Sequence, residues 1–334
     1  MKINTNRPFR TLLTVALLTV GTSALAAPVS LPRTVSGGFN GTQWNVGNNL
    51  GNCFTSSGTG FEDASSTGRG DAYDDAWAVT IDGLALGSAD GNADLTGPIL
   101  TVGPVVRSGL NVTLQHYYSP TSSLARILVS MQNPGASAAT VNVQVPVNFG
   151  SDGGTAYNAT SSGDTAVTTA DRWVVSSDGG PSDPVNTTVF YGPGSPSVLP
   201  ASYTTTVHDC AGPQGVGAAF NVTVPAGATR SLMFFAGLGG VTAADNSVAS
   251  AISAAALFNA NATLAPDWLT GLGAQQQSTI VNWNFFVSCA AEGYTGSKLT
   301  LCRQVCEIEQ TPTRLTSLIK LYRTAYREDP PCAL

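Results

Sequence analysis

The chain has few of the side chains on which most enzyme active sites depend. Its 334 residues include only two histidines, His116 and His208, and charged residues make up 11% of the sequence, against roughly a quarter in typical soluble proteins. Neither Gly-x-Ser-x-Gly nor His-Glu-x-x-His occurs, so the sequence contains no motif of an α/β-hydrolase nucleophile or a zinc protease. We therefore predict structural roles for both histidines.

Lysine is almost absent, and the positive charge is concentrated near the C-terminus. Residues 27–290 have no lysine and six arginines against 16 acidic residues, whereas residues 291–334 carry six basic and five acidic residues. A protein that binds a phosphate backbone needs clustered lysine and arginine. The acidic body therefore predicts that nucleic acid is not a partner.

The sequence has one long apolar run, which lies near the N-terminus. The run LLTVALLTV at residues 12–20 follows Lys2, Arg7 and Arg10 and precedes an Ala-x-Ala site at residues 24–26. This order predicts a cleaved secretory signal over residues 1–26. Because a membrane-spanning helix needs about 20 apolar residues, we expect no transmembrane anchor and a secreted or periplasmic protein.

All six cysteines are predicted to form disulfides, because an even number in an exported chain is typical of a disulfide framework. Four lie close together near the C-terminus and predict two local bridges, and the other two would form a long-range bridge. Cys302 and Cys306 lie on one face of a predicted helix, so each is expected to bond outside it, to Cys289 or Cys332. A zinc site is the alternative, but no histidine lies nearby. The six residues are Cys53, Cys210, Cys289, Cys302, Cys306 and Cys332.

The central part of the chain alternates short apolar runs with turn residues. The predicted strands are LNVTLQHYY, LARILVSMQ, TVNVQVPVNF, RWVVSS, TTVFYG, YTTTVH, AAFNVTV and RSLMFFAG, between residues 110 and 237. Regular short strands separated by turn signals favour a sandwich or barrel of antiparallel strands, and we place a β-sandwich domain over residues 27–240. NPG at 133–135 and PAG at 225–227 predict hairpin turns.

The last hundred residues have a helical pattern. An Ala-rich stretch begins a closing segment predicted over residues 241–290, and a helical hairpin is predicted over residues 291–334. Thr311 and Pro312 are expected to be the cap and first residue of its second helix. That helix has an apolar stripe formed by Leu315, Leu318, Ile319 and Tyr322.

Two acidic stretches are candidates for chemistry. In the first, Glu62, Asp74 and Asp75 are the candidate catalytic carboxylates, since glycoside cleavage uses a pair of acidic residues. In the second, Asp90, Asn92 and Asp94 form D-x-N-x-D, a pattern of oxygen ligands that suits calcium. The second stretch is not an EF-hand, because the glycine and glutamate of that loop are missing, and Asp and Asn also stabilise turns without a metal.

Aromatic residues are distributed over the strands and predict either a sugar-binding surface or core packing. Aromatic faces stack on apolar sugar faces, whereas most aromatic residues in a β protein are buried. The candidate binding residues are Trp44, Trp77, Trp173 and Tyr117.

Three motifs, RGDAYDDAW at 69–77, NFGSDGG at 148–154 and DRWVVSSD at 171–178, resemble modules of uncharacterised bacterial exported proteins. Those modules are similar to the supersandwich domains attached to carbohydrate-active enzymes. The resemblance covers roughly residues 70–240. It implies an accessory, exported β-sandwich and no particular activity, because a fold does not determine function.

Taken together, these features predict a mainly β, disulfide-linked exported protein whose function is non-enzymatic binding of a glycan or a cell-surface partner. An extracellular glycan hydrolase or lyase is the alternative from another class, and a structural surface or matrix protein is the third. Calcium is the one cofactor that the residue pattern suggests, and an extracellular polysaccharide or surface protein is the expected partner.

Overall fold

The computed structural model describes residues 26–50, 58–194, 196–205, 214–240, 244–261, 264–285, 289–290, 292–306, 308, 311–328 and 330–332. Most of the predicted signal, together with Cys53, His208 and Cys210, lies outside the described residues. Within the described residues, no helix has the length and apolar character required to cross a membrane.

Within the described residues, the body of the protein consists of three antiparallel sheets. The largest has nine strands in the order β1-β8-β9-β10-β11-β18-β15-β14-β13. Its strands are β1 Ala27–Ser30, β8 Asn92–Thr96, β9 Ile99–Arg107, β10 Leu110–Tyr118, β11 Leu124–Gln132, β13 Ala156–Thr160, β14 Trp173–Ser177, β15 Asn186–Val189 and β18 Thr229–Leu238. This architecture confirms the predicted antiparallel, mainly β fold.

Two smaller sheets complete the β body. One has the order β16-β17-β12-β6-β7 and the other β2-β3-β4-β5. Their strands are β2 Arg33–Ser36, β3 Gln43–Gly47, β4 Gly60–Ser66, β5 Arg69–Ala72, β6 Thr80–Ile81, β7 Leu84–Ala85, β12 Ala139–Asn148, β16 Ser202–Thr204 and β17 Gly215–Val224. Their inner faces and that of the large sheet contribute to one hydrophobic core.

The middle of the large sheet is buried on both faces. On β18, Leu232 and Phe234 belong to the core shared with the smaller sheets, whereas Met233 and Phe235 pack into a second core on the opposite face. A strand covered on both faces is apolar at successive positions rather than at alternate ones, which explains the run LMFF.

Helical segments cover the outer face of the large sheet. Helix α1 spans Val248–Ala255 and α2 spans Ala274–Gln277, and short 3-10 turns lie at Asp152–Gly154, Ala256–Asn259 and Pro266–Leu269. The segment beyond Gln277, predicted as helical, instead runs alongside β18, because Ile280 forms a parallel β-bridge with Ser231. Phe258, Trp268 and Trp283 bury their rings in the second core.

The C-terminal hairpin is held by two disulfides. Helices α3, Gly296–Cys306, and α4, Pro312–Tyr326, form it. Cys289 bonds to Cys302 and Cys306 to Cys332, with Cα–Cα distances of 5.8 and 5.6 Å. The two local bridges predicted from the sequence are therefore confirmed. Thr311 is the N-cap residue of α4 with Pro312 in its first turn, although the Thr311 side chain makes no capping hydrogen bond.

The two predicted hairpin turns connect different sheets. NPG joins β11 of the large sheet to β12 of the five-stranded sheet, and PAG joins β17 back to β18. The buried Asn133 links the two turns, because its Nδ2 donates to the carbonyls of Ser137 and Val224, both at 2.9 Å. The prediction of hairpins was therefore wrong, since turn residues reverse the chain without determining which strands pair.

Candidate functional site

The segment that carries two of the predicted catalytic carboxylates has an unusual backbone. Asp71, Tyr73, Asp75 and Trp77 all have positive φ, between 47° and 67°, although each left-handed non-glycine residue costs on the order of 1 kcal/mol. Buried contacts fix the segment. The Tyr73 hydroxyl donates to the Thr187 carbonyl at 2.9 Å. A strained backbone conformation persists where many surrounding contacts hold it, and such strain is common at functional sites.

The predicted catalytic trio does not form a three-carboxylate cluster. Glu62 is exposed on β4, while Asp74 and Asp75 are half-buried in the turn after β5. In the described part of the chain, no three Asp, Glu or His side chains bring their ligand atoms within 4.8 Å of one another. The trio therefore stays a prediction that rests on the sequence.

A different set of carboxylates meets where the three quoted motifs converge. Gly150 lies against the 71–73 backbone so closely that a β-carbon would be 2.7 Å from the Ala72 Cα atom, and the Gly70 amide donates to the Ser182 carbonyl at 3.2 Å. Burial, followed by the charges of Asp178 and Asp71, raises the pKa of Asp183 above its usual range. These like charges identify Asp71, Asp178 and Asp183 as one acidic cluster.

Asp71, Asp178 and Asp183 are not among the catalytic residues predicted from the sequence. The motif SSDGGPSD could have indicated Asp178 and Asp183, because these two acids, five residues apart, flank a Gly-Gly-Pro turn. The carboxyl oxygen of Asp178 accepts a 2.6 Å hydrogen bond from the Gly180 amide inside that turn. The turn therefore places the two carboxyl groups side by side.

A cavity of about 420 Å³ lies next to this acidic cluster, between the end of β18 and helix α1. Its wall is mostly apolar, with Phe39 and Leu257 exposed at 39% and 40%. Polar groups converge on it from Asn40, Ser122, Ser123, Thr187, Asp245 and Ser250. Pockets for small molecules have this size and this mixture of apolar wall and few polar groups.

The floor of the cavity is rigid. The rings of Phe258 and Trp268 stack with centroids 5.0 Å apart, and Trp268 Nε1 donates to Ser122 Oγ at 3.0 Å. Asn246 connects the cavity wall to the acidic cluster, because its Oδ1 accepts from the Val185 amide and its Nδ2 donates to the Asp183 carbonyl. Among the described lining residues, however, the only carboxylate is that of Asp245.

The four predicted sugar-binding aromatics are core residues. Trp44 and Trp77 are 0% exposed, Tyr117 is 1% and Trp173 is 5% exposed. Trp44 packs 4.8 Å from the Phe61 ring. A ring without accessible surface cannot stack on an external sugar, so the structure gives these four residues a packing role. In the described chain, Phe39 is the one aromatic among the exposed large hydrophobic side chains.

The predicted calcium residues form a hydrogen-bonded turn. Asp90 Oδ1 accepts from Ser88 Oγ at 2.8 Å and from the Asn92 amide at 3.0 Å. These hydrogen bonds, that of Ser88 foremost, lower the pKa of Asp90. Asn92 and Asp94 lie exposed on β8. Because the turn already satisfies the Asp90 carboxylate, its geometry is explained without a cation.

His116 is buried within the main core. It is 0% exposed, its Nδ1 lies 3.3 Å from the Tyr118 hydroxyl, and its ring is 4.9 Å from Phe61. Burial lowers the pKa of His116 to about 3. The imidazole is therefore neutral at physiological pH and has no route to a substrate in solution.

No protein-family model and no curated protein matches this chain. Among solved structures, it is similar to a protein assigned as an aldose 1-epimerase from Klebsiella pneumoniae, with 10% identity, a TM-score of 0.35 and coverage of 66% of this chain and 82% of that one. A heparinase III matches at 12% identity and a TM-score of 0.32, covering 58% of this chain and 32% of that one.

A protein from the human microbiome assigned as a kojibiose phosphorylase matches at 9% identity and a TM-score of 0.30, covering 84% of this chain. This chain spans about a third of the length of that protein and of the heparinase. At such TM-scores these likenesses establish neither the fold nor the function of this chain.

Proposed function

We propose that the protein is an extracellular, non-enzymatic carbohydrate-binding module, and that the cavity bordered by Phe39 holds the end of a glycan. The supporting observation is the cavity itself, in which an exposed aromatic ring stands beside hydroxyl, amide and backbone groups. Sugars are recognised by this combination, because their C–H faces stack on a ring while their hydroxyls form hydrogen bonds. The predicted export signal supports an extracellular location.

The first experiment incubates the mature, disulfide-bonded protein with insoluble polysaccharides and measures protein depletion and release of new sugar ends. We expect depletion without release. Phe39→Ala should weaken binding about five- to tenfold, since an aromatic contact contributes about 1 kcal/mol. Val106→Ala is the matched control, because Val106 is 65% exposed on β9 and does not line the cavity. If Phe39→Ala bound polysaccharide as well as Val106→Ala does, the cavity would not be the glycan site.

A glycan hydrolase is the second candidate, and the Asp178–Asp183 pair favours it. A carboxyl group with a raised pKa can act as a general acid. Glycosidases hold their two carboxyl groups roughly 5 to 9 Å apart, and Asp178 and Asp71, whose charges act on Asp183, are the candidates for the second carboxylate. If the protein releases new sugar ends, and Asp183→Asn abolishes this release while Asp94→Asn preserves it, the protein is a hydrolase. The same assay with Asp74→Asn and Asp75→Asn tests the residues predicted from the sequence.

We rank binding above hydrolysis because the acidic cluster does not line the cavity. A hydrolase needs its acid within hydrogen-bond reach of the bound glycosidic oxygen. Neither depletion nor release would favour the third class, a structural surface or matrix protein.

A further inference from the structure

The two disulfides of the C-terminal hairpin lie against each other. We call Cys289–Cys302 the inner bond and Cys306–Cys332 the outer bond. Cys302 and Cys306 are four residues apart on helix α3 and share one helix face. The Sγ atoms of Cys289, Cys302 and Cys306 all lie within 4.8 Å of one another. The Cys306 sulfur is therefore next to both sulfurs of the inner bond.

The two bonds differ in their access to solvent. Cys289 and Cys302 are each 0% exposed, so a thiol in solution has no direct path to the inner bond. In the outer bond, Cys332 is 9% exposed and Cys306 is half-buried. Because thiol–disulfide exchange requires access to a sulfur atom, a thiol in solution meets the outer bond first.

The cysteines also form much of the hydrophobic core of the hairpin. Among its described residues, the buried members of this core are Cys289, Cys302, Cys332, Val305 and Tyr322. This cluster is separate from the two cores of the β body, and none of its cysteines lines the cavity proposed for the glycan. A core this small depends on its cross-links for stability. Cleavage of both bonds would therefore loosen the hairpin, while the β body keeps its own cores.

We propose that the hairpin is a redox-active site whose reductant is a dithiol, and that Cys306 passes reducing equivalents from solution to the inner bond. One dithiol cleaves the outer bond, is itself oxidised to a disulfide, and leaves Cys306 and Cys332 as thiols. The Cys306 thiolate then attacks Cys289 Sγ, which forms a Cys289–Cys306 bond and breaks the inner bond. Cys302 leaves as a thiolate and takes up the proton that Cys306 lost, so this exchange involves no net oxidation or reduction.

Helix geometry selects Cys289 as the attacked residue. Side chains four residues apart on a helix have β-carbons about 5 to 6 Å apart, whereas a disulfide needs roughly 3.5 to 4.5 Å between them. A Cys302–Cys306 bond would therefore distort α3, while Cys289 lies outside the helix. The new bond includes the half-buried Cys306, where a second dithiol can attack. Two dithiols thus supply the four electrons that reduce both bonds.

The test compares two variants of the mature, full-length protein, Cys332→Ser and the double variant Cys306→Ser/Cys332→Ser. Both lack the outer bond and are loosened alike, so they differ only in the Cys306 sulfur. Each is treated with dithiothreitol, and samples are quenched with acid, labelled with N-ethylmaleimide and analysed by peptide mass spectrometry, which follows each cysteine separately. We expect the inner bond to be reduced at least about tenfold faster when Cys306 is present, because an intramolecular thiol has a high effective concentration.

Three outcomes would contradict this mechanism. Equal rates in the two variants, or faster reduction without Cys306, would mean that the reductant reaches the inner bond directly, and would overturn the proposal. In the wild-type protein, label should appear at Cys332 before Cys289, and the reverse order would also overturn it. A peptide linked through Cys289 and Cys306 in Cys332→Ser would identify the intermediate, whereas one linked through Cys302 and Cys306 would overturn the assignment of the attacked sulfur.

Discussion

Substitution of His116 by leucine should remove a large part of the acid sensitivity of this protein. The imidazole is 0% exposed, in contact with Tyr118 and Phe61. Burial disfavours its charged form in the folded state, whereas the unfolded chain exposes it to water. Its pKa falls from 6.5 to about 3 on folding, so below pH 6.5 the unfolded state binds a proton that the folded state excludes.

The sign and size of the effect follow from this difference. The stabilising contribution of a neutral His116 is complete above pH 6.5 and is lost as the pH falls toward 3. With a pKa of about 3 in the folded state, the free energy of unfolding should decrease by about 2 kcal/mol between pH 7 and pH 5. The decrease should reach about 4 kcal/mol at pH 3.

The assay is urea unfolding of wild type and His116→Leu at pH 7 and pH 5, followed by both fluorescence and circular dichroism. Carboxylates contribute to the pH dependence of both proteins, so their effect cancels when the two pH differences are subtracted. We expect wild type to lose about 2 kcal/mol more than His116→Leu between these pH values. Equal losses would show that His116 is accessible to protons in the folded state, which would refute its burial.

Two further predictions concern buried polar side chains. Asn133→Ala should lower the free energy of unfolding by about 2 to 4 kcal/mol, because it deprives the buried Val224 carbonyl and other groups of hydrogen-bond partners. Denaturant unfolding measures this loss. The control is Asn221→Ala, at an exposed position on β17, which should cost less than about 1 kcal/mol. Arg126→Met should cost about 3 kcal/mol and increase hydrogen exchange first at residues 266–270, since Arg126 Nη1 donates to the carbonyls of Trp268 and Thr270. Arg107→Met, at a half-buried arginine, is the control. If Arg126→Met cost no more than Arg107→Met, or increased hydrogen exchange equally along the whole chain, Arg126 would not hold residues 266–270 in place.

The strands could be predicted because their alternating pattern reflects burial directly. The predicted strands at residues 110–118 and 124–132 match β10 and β11 to the residue. The sheet to which each strand belongs could not be predicted. NPG and PAG reverse the chain in either a hairpin or a connection between sheets. Asn133 stabilises the observed connection, because its hydrogen bond to the Val224 carbonyl joins the end of β11 to the end of β17.

The acidic site shows the same limit. Crowding in sequence suggested Glu62, Asp74 and Asp75, but alternation along a strand and a turn separates neighbouring side chains. Asp178 and Asp183 lie at the two ends of a tight Gly-Gly-Pro turn, and the charge of Asp71, from another sheet, acts on Asp183. Contacts between sheets depend on the packing of the whole body, which a local motif does not specify.

The aromatic residues were misjudged because a strand pattern cannot distinguish a ring that faces solvent from one that faces another layer. This body has layers on both sides of its largest sheet, so Trp173, which packs in the second core, and Tyr117, which lies under Arg126, are both covered. Rings on the strands are thereby used for packing, and a ring available to a ligand has to come from a turn. Phe39 is such a residue, in a glycine-rich turn without periodicity, and this explains why the sequence pattern did not identify it.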